Sequence, residues 1–93
     1  MQEYEWDENK NQENIKKHGI SFEEAVSVFR DTESLTIYDK DHSENEDRFL
    51  IIGFSFKLRL LVVCHCYRQN DTVVRIISAR KVSKAETKKY GKN

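Results

Sequence analysis

The loop DHSENEDR brings a histidine, a carboxylate and an arginine, His42, Glu46 and Arg48, within seven residues. A histidine and a carboxylate can serve as base and acid in cleaving RNA, one taking the 2′-hydroxyl proton and the other protonating the leaving oxygen. A nearby cation stabilises the charge that builds on the phosphate in the transition state. None of this chemistry requires a metal. The plainer reading is an exposed acidic loop whose histidine and glutamate are neighbours by accident, and the spacing alone favours it.

A second cluster lies in RIISARKVSKAE, where a strand runs into Arg80 and Lys81 just before a helix start. Cations are poor neighbours for a helix N-terminus, whose free N–H groups favour anions. If Ser83 is the N-cap, a guanidinium, an ammonium and the helix start together form a workable phosphate site. The alternative is a solvated strand end with two ordinary surface cations.

The chain must position these groups with 93 residues, enough for one modest core, so residues 1–93 are expected to form a single domain. Hydrophobic residues make up 38% and charged residues 34%, and no apolar run approaches the roughly 18 residues of a membrane span. The first ten residues, MQEYEWDENK, are acidic and lack a signal's apolar segment, so the expected compartment is the cytoplasm. Cys64 and Cys66 alternate on one strand face, which disfavours a mutual disulfide. His65 points to the other face and no further ligand cluster follows, so neither a metal nor any other cofactor is expected.

A net charge of zero hides a contrast between halves. Residues 1–47 hold 14 acids and 5 bases, whereas residues 48–93 hold 2 acids and 11 bases. Such asymmetry suits a polyanionic or acidic partner. It is equally explained if the two halves neutralise each other across the fold.

YEW reads as an edge strand. Asp7 caps a mostly polar helix that offers little beyond Ile15 to a core, and Gly19 stops it. Its last turn carries Lys16, Lys17 and His18, which suit a helix C-terminus. Ser21 and Glu24 open a second helix, in which Phe22, Ala25, Val26 and Phe29 recur at helical spacing. LTIY, RFLIIGFSF, RLLVVCHCY and TVVRIISA read as strands, the middle two as a hairpin turning near Lys57 and Leu58. Alternation places Arg80 with Ser78, Ile76 and Val74, opposite Arg75, Ile77 and Val73. Leu61, Val63, His65 and Tyr67 share a face, with His65 read as a half-buried, hydrogen-bonded histidine rather than part of a base-stacking surface. Ser83 and Glu86 form the capping box of a final helix reaching about Tyr90. The expected class is α+β, an antiparallel sheet with two N-terminal helices and a C-terminal helix.

Taken together, EWDENKNQENIKKHGISFEEAVSVF, DHSENEDRFLIIG, LLVVCH and RIISARKVSKAETKKY resemble the BrnT toxins of type II toxin–antitoxin systems, from about Glu5 to Tyr90. Such toxins are similar to the wider RelE-like class of small ribonuclease toxins. The resemblance implies metal-independent RNA cleavage, inhibition of translation and a BrnA-type antitoxin that buries the active surface. It also implies two toxins around an antitoxin dimer, with operator DNA bound only through the antitoxin. Carried over by motif, Arg80 and Arg48 are the catalytic cations, His42 matches the H-S-E loop, and Glu86 and Tyr90 match an E…Y ending. Lys17 and His18 match the K-H-G turn, as RNA contacts or as shapers of the helix end, and Lys81 joins them as a substrate-binding cation. The rival reading is a non-catalytic nucleic-acid-binding or protein-interaction module using the same basic half.

Overall fold

In the computed structural model, which describes residues 2–90 and the side chains of residues 2–88, the elements follow the expected order. They are β1 (Glu3–Glu5), α1 (Glu8–His18), α2 (Phe22–Ser27), β2 (Leu35–Tyr38), β3 (Phe49–Phe54), β4 (Leu60–Arg68), β5 (Val73–Lys81) and α3 (Lys84–Tyr90). Short 3₁₀ turns extend α2 at Val28–Arg30 and follow β2 at Lys40–His42. Local signals set these boundaries. The Asp7 carboxylate accepts from Asn9 N and Lys10 N, Gly19 closes α1 at φ 72°, and Ser21 caps α2 through Glu24 N. Among the described residues no helix is long and apolar enough to cross a membrane.

The five strands form one sheet in the order β1-β5-β4-β3-β2. Three pairings are antiparallel, but β1 runs parallel to β5, with Glu3 opposite Val73 and Glu5 opposite Arg75. The sheet is therefore mixed, which corrects the antiparallel expectation. A strand that enters before both helices can return beside the last strand in either sense, and no local residue signal decides it. One face packs against α2, burying Ile20, Phe22, Ala25 and Val28 with Ile51, Leu61, Val63, Val74, Ile76 and Ala79. Each valine, leucine, isoleucine or phenylalanine among them contributes about 1.5–3 kcal/mol of transfer free energy.

β5 does not alternate cleanly. Ser78 pairs with Cys64 while Ile76 pairs with His65, leaving Ile77 as an extra, bulged residue. The bulge turns Ile76 and Val74 onto the core face with Ala79. Arg80, opposite Val62, and Arg75, opposite Cys66, then share the outer face. The expected grouping of Arg80 with Ile76 and Val74 fails for this reason.

Nor does α1 meet the sheet through Ile15, which is 38% exposed. It is anchored by two buried asparagines. β1 pairs only with Val73–Arg75, so the rest of that β5 edge is open. Asn14 fills part of it: its Nδ2 donates to Ala79 O at 2.8 Å and its Oδ1 accepts from Ala79 N at 3.1 Å, as a neighbouring strand would. Nδ2 also donates to Ile20 O at 2.9 Å, and Asn11 Oδ1 accepts from Phe22 N at 2.8 Å.

The halves also meet through charge. Arg59 and Ser55, beside the β3–β4 turn, both donate to the fully buried carboxylate of Glu24. Arg68 donates to Glu46 at 2.7 Å and Arg75 to Glu5 at 2.9 Å. Three of the eleven bases of the second half thereby pair with acids of the first, so internal neutralisation accounts for part of the contrast.

Gly53 supports a close approach of β3 to the turn after α2. A Cβ there would lie 2.9 Å from both Asp31 Oδ2 and Ser34 Cβ, and the Asp31 carboxylate accepts from Phe54 N next door. Gly53→Ala is expected to destabilise the fold by about 1–3 kcal/mol, read as a lower urea midpoint.

His65 is fully buried rather than half-buried, its ring against Phe29, Phe49 and Tyr67, and its Nε2 has no hydrogen-bond partner among the described residues. Burial pushes its pKa down, so the folded chain holds the ring neutral while the unfolded chain takes up a proton. The unfolded state therefore gains protons first as pH falls, and stability is lost from about pH 6.5 downward. Urea midpoints at pH 7.5 and 5.5 should differ in the wild type, and His65→Phe should flatten that slope.

Candidate active site

The β2–β3 ladder runs one step beyond its last strand pair, Tyr38 opposite Phe49, because Asp39 N donates to Arg48 O at 2.8 Å. This fixes Asp39 and Arg48 side by side at the sheet's end. The chain then turns through Lys40–His42. Ser43 Oγ stitches that turn closed, donating to Asp39 O at 2.6 Å and accepting from Arg48 N at 2.9 Å. The serine and the aspartate thus hold His42 and Arg48 at the mouth of one cleft.

That cleft has a volume of about 330 Å³ and is lined by Asp39, Asp41, His42, Arg48, Leu50, Cys64, Ile77, Ser78 and Arg80. Three of the expected residues, His42, Arg48 and Arg80, come to it from a turn, the start of β3 and the end of β5. The size lies at the lower end of ordinary ligand sites. A second cleft on the other side of His42 and Arg48 is lined by Asp41, Glu44, Asn45 and Glu46. Its three carboxylates face one arginine, against two carboxylates and two arginines in the first cleft, which makes it the poorer place for phosphate.

Arg80 is not free. Its Nη1 and Nη2 donate to the two carboxylate oxygens of Glu86 at 2.7 and 2.8 Å, a bidentate pair. The Arg80 guanidinium holds the Glu86 carboxyl well below the usual range, at about 2. Glu86 also accepts from Ser83 N at 2.8 Å, and Ser83 Oγ accepts from Glu86 N at 3.1 Å, completing the capping box. Strand β5 continues through Lys81, so both cations belong to the strand. The expected phosphate site at the helix start is therefore filled by the helix's own glutamate. Two cations precede a helix because its third residue carries the carboxylate that one of them clasps.

Arg48 is less committed. Its Nε, though buried, has no hydrogen-bond partner among the described residues, and Glu46 stands 3.6 Å away. Glu46 is engaged by Arg68, whose hydrogen bond holds its carboxyl below the usual range. It is a poor proton donor near neutral pH, against the acid role its place in the loop suggests. Cys64 also lines the cleft, but burial pushes its thiol up to about 11, so it stays a protonated, weak nucleophile. Cys64 and Cys66 are both buried and free.

The remaining expected residues lie around this centre. Lys17 and His18 line a shallower cleft with Lys10, Glu13, Asn14, Ile77 and Ser78. Ile77 and Ser78 border both clefts, so the K-H-G turn is set beside the His42 site across the bulge. Lys81 is exposed next to Arg80. Tyr90 ends α3, and its side chain lies outside the described residues. Sequence reasoning missed Asp39, whose nearly buried carboxylate oxygens lie 3.0 and 3.2 Å from His42 Nδ1. The three-residue spacing of Asp39 and His42 was the available signal.

A family model described as "Ribonuclease toxin, BrnT, of type II toxin-antitoxin system" matches residues 6–86. The chain belongs to this BrnT family. Its fold is similar to the crystal structure of the Brucella abortus ribonuclease toxin BrnT, with a TM-score of 0.68 and 24% identity. That likeness covers 90% of this chain and all of the Brucella chain. No curated protein sequence matches. The matched segment of this BrnT-family chain holds every residue lining the His42 cleft, together with Glu86. Membership in a type II toxin–antitoxin family implies an antitoxin as partner.

Proposed function

We propose that this BrnT-family chain is an endoribonuclease that cleaves RNA in the cleft between His42, Arg48 and Arg80, and so inhibits translation. The observation that carries the reading is the convergence of His42 and Arg48, from the connection between β2 and β3, with Arg80, from the end of β5, on a single cleft. His42 takes the 2′-hydroxyl proton, and the 2′-oxygen attacks the adjacent phosphorus. The 5′-oxygen leaves as it takes a proton from solvent water, and the hydroxide so formed is neutralised by the His42 imidazolium, giving a 2′,3′-cyclic phosphate and a 5′-hydroxyl. Arg48, and Arg80 through the N–H groups that its pairing with Glu86 leaves open, bind the phosphate and offset the charge that grows on it, so the step needs no metal. Glu86 acts through Arg80 by setting the direction of its fork. Tyr90 joins the proposal through the E…Y ending alone, and Lys81, Lys17 and His18 extend RNA contact beyond the cleft.

The kinship to RelE-like toxins and a BrnA-type antitoxin belong to the same proposal. The antitoxin covers the cleft, two toxins sit on an antitoxin dimer, and operator DNA is reached only through that dimer. Induced expression of wild type beside Arg80→Ala tests the reading, with growth and total RNA integrity followed together. Arrest with RNA fragmentation in wild type alone supports it. A folded wild type that leaves growth and RNA intact overturns it, and salt-dependent RNA binding without fragments would favour the non-catalytic module.

A further inference from the structure

Asp39 is nine-tenths buried at the end of the β2–β3 ladder, and its carboxylate faces the exposed ring of His42. Both oxygens lie within hydrogen-bond distance of one ring nitrogen, Nδ1, at 3.0 and 3.2 Å. An ionised carboxylate can only accept, so Nδ1 must carry the proton. In the neutral ring that leaves the lone pair on Nε2, the form a general base requires.

The backbone sets the two residues close together. Asp39 N is tied to Arg48 O, His42 N donates to Asp39 O at 3.3 Å, and Ser43 Oγ closes the same turn on Asp39 O. Both side chains line the cleft that holds Arg48 and Arg80. A carboxylate that merely filled space at this position would not need both oxygens within reach of one histidine nitrogen.

We infer that Asp39 is the positioning residue of the site, fixing the His42 ring and its Nδ1–H tautomer so that Nε2 accepts the substrate proton. The inference rests on the proposed base role of His42. A buried carboxylate behind a histidine acts in this way in hydrolytic triads, where it also stabilises the imidazolium that forms. Asp39 itself touches no reacting atom.

The substitutions separate positioning from simple structure. Asp39→Asn keeps size and shape but can turn an N–H toward Nδ1, which selects the Nε2–H tautomer and removes the lone pair from the cleft. Asp39→Ala leaves both tautomers accessible. Turnover of purified protein on RNA should therefore fall about 10²-fold or more in Asp39→Asn and by roughly tenfold in Asp39→Ala, with KM little changed in both. A merely structural Asp39 would give the opposite order, because alanine removes more contacts than asparagine. In the Asp39→Asn, His42→Ala double variant the losses should not multiply beyond that of His42→Ala.

A spectroscopic readout is independent of activity. ¹⁵N shifts of the neutral His42 imidazole should report Nδ1–H in wild type and Nε2–H in Asp39→Asn. A wild-type ring protonated on Nε2, a fully active Asp39→Asn, or multiplying losses in the double variant would each overturn the inference. If His42→Ala cleaved like wild type, the base role would fail and this inference with it. An inactive His42→Ala beside an active Asp39→Asn would overturn the Asp39 role alone.

Discussion

Arg80→Ala is expected to lower RNA cleavage by about 10²–10³-fold, the usual cost of removing one fixed charge from a phosphate-transfer site. The loss should appear in turnover more than in RNA affinity, because the cation matters most where charge on the phosphate grows. The fold should survive, since Arg80 is partly exposed and packs outside the main core. Its partner gives a graded control. Glu86→Gln leaves the guanidinium charged but replaces a bidentate ionic clasp with a neutral contact. It should cost roughly tenfold through lost orientation, well short of Arg80→Ala. Single-turnover rates on a short RNA, with circular dichroism to check folding, measure all three proteins. Equal activity in wild type and Arg80→Ala would remove Arg80 from the site.

A large loss of stability is expected at Asn14, which makes three hydrogen bonds while almost fully buried. Asn14→Ala strands the N–H and C=O of Ala79 on an edge that no strand covers, and Ile20 O as well. Unsatisfied buried groups cost about 1–3 kcal/mol each. Partial hydration through the neighbouring cleft lowers the sum, and a net loss of about 3 kcal/mol is expected. Urea denaturation checks it. Cleavage by the folded fraction should change little, because the asparagine lies on the far side of the bulge from His42. A variant as stable as wild type would show that α1 is held by other contacts.

These positions show what the sequence makes legible. Local chemistry is readable: Asp7, Gly19, Ser21 and the Ser83–Glu86 box mark helix ends because caps act within a few residues. The strands were readable from apolar runs, and β1 was recognisable as an edge strand. Its direction was not, because the pairing of Glu3 with Val73 joins residues far apart in the chain. Strict alternation misplaced Arg80 relative to Ile76 because one bulged residue, Ile77, reverses the parity of everything before it. Asn11 and Asn14 looked like the solvated face of a polar helix. Only the tertiary edge they satisfy explains their burial.

The candidate site was legible in part for the same reason. His42 and Arg48 are near neighbours in sequence, and Arg80 stood out by its place before a capping box. That Glu86 would occupy the Arg80 fork was hidden by reading the box and the cations separately. The capping glutamate has two oxygens, and both ends of its environment use them. Asp39 was overlooked because an acidic loop offers several carboxylates at similar spacing, and only the ladder bond to Arg48 selects one.

The most direct test of the central claim is to incubate purified wild type, and His42→Ala beside it, with a defined RNA in excess EDTA. The ends of any fragments are then determined. The account predicts cleavage by wild type without metal, leaving 2′,3′-cyclic phosphate and 5′-hydroxyl ends, and a loss of about 10²–10⁴-fold in His42→Ala. Intact RNA, cleavage that returns only with a divalent ion, or an unaffected His42→Ala would contradict it.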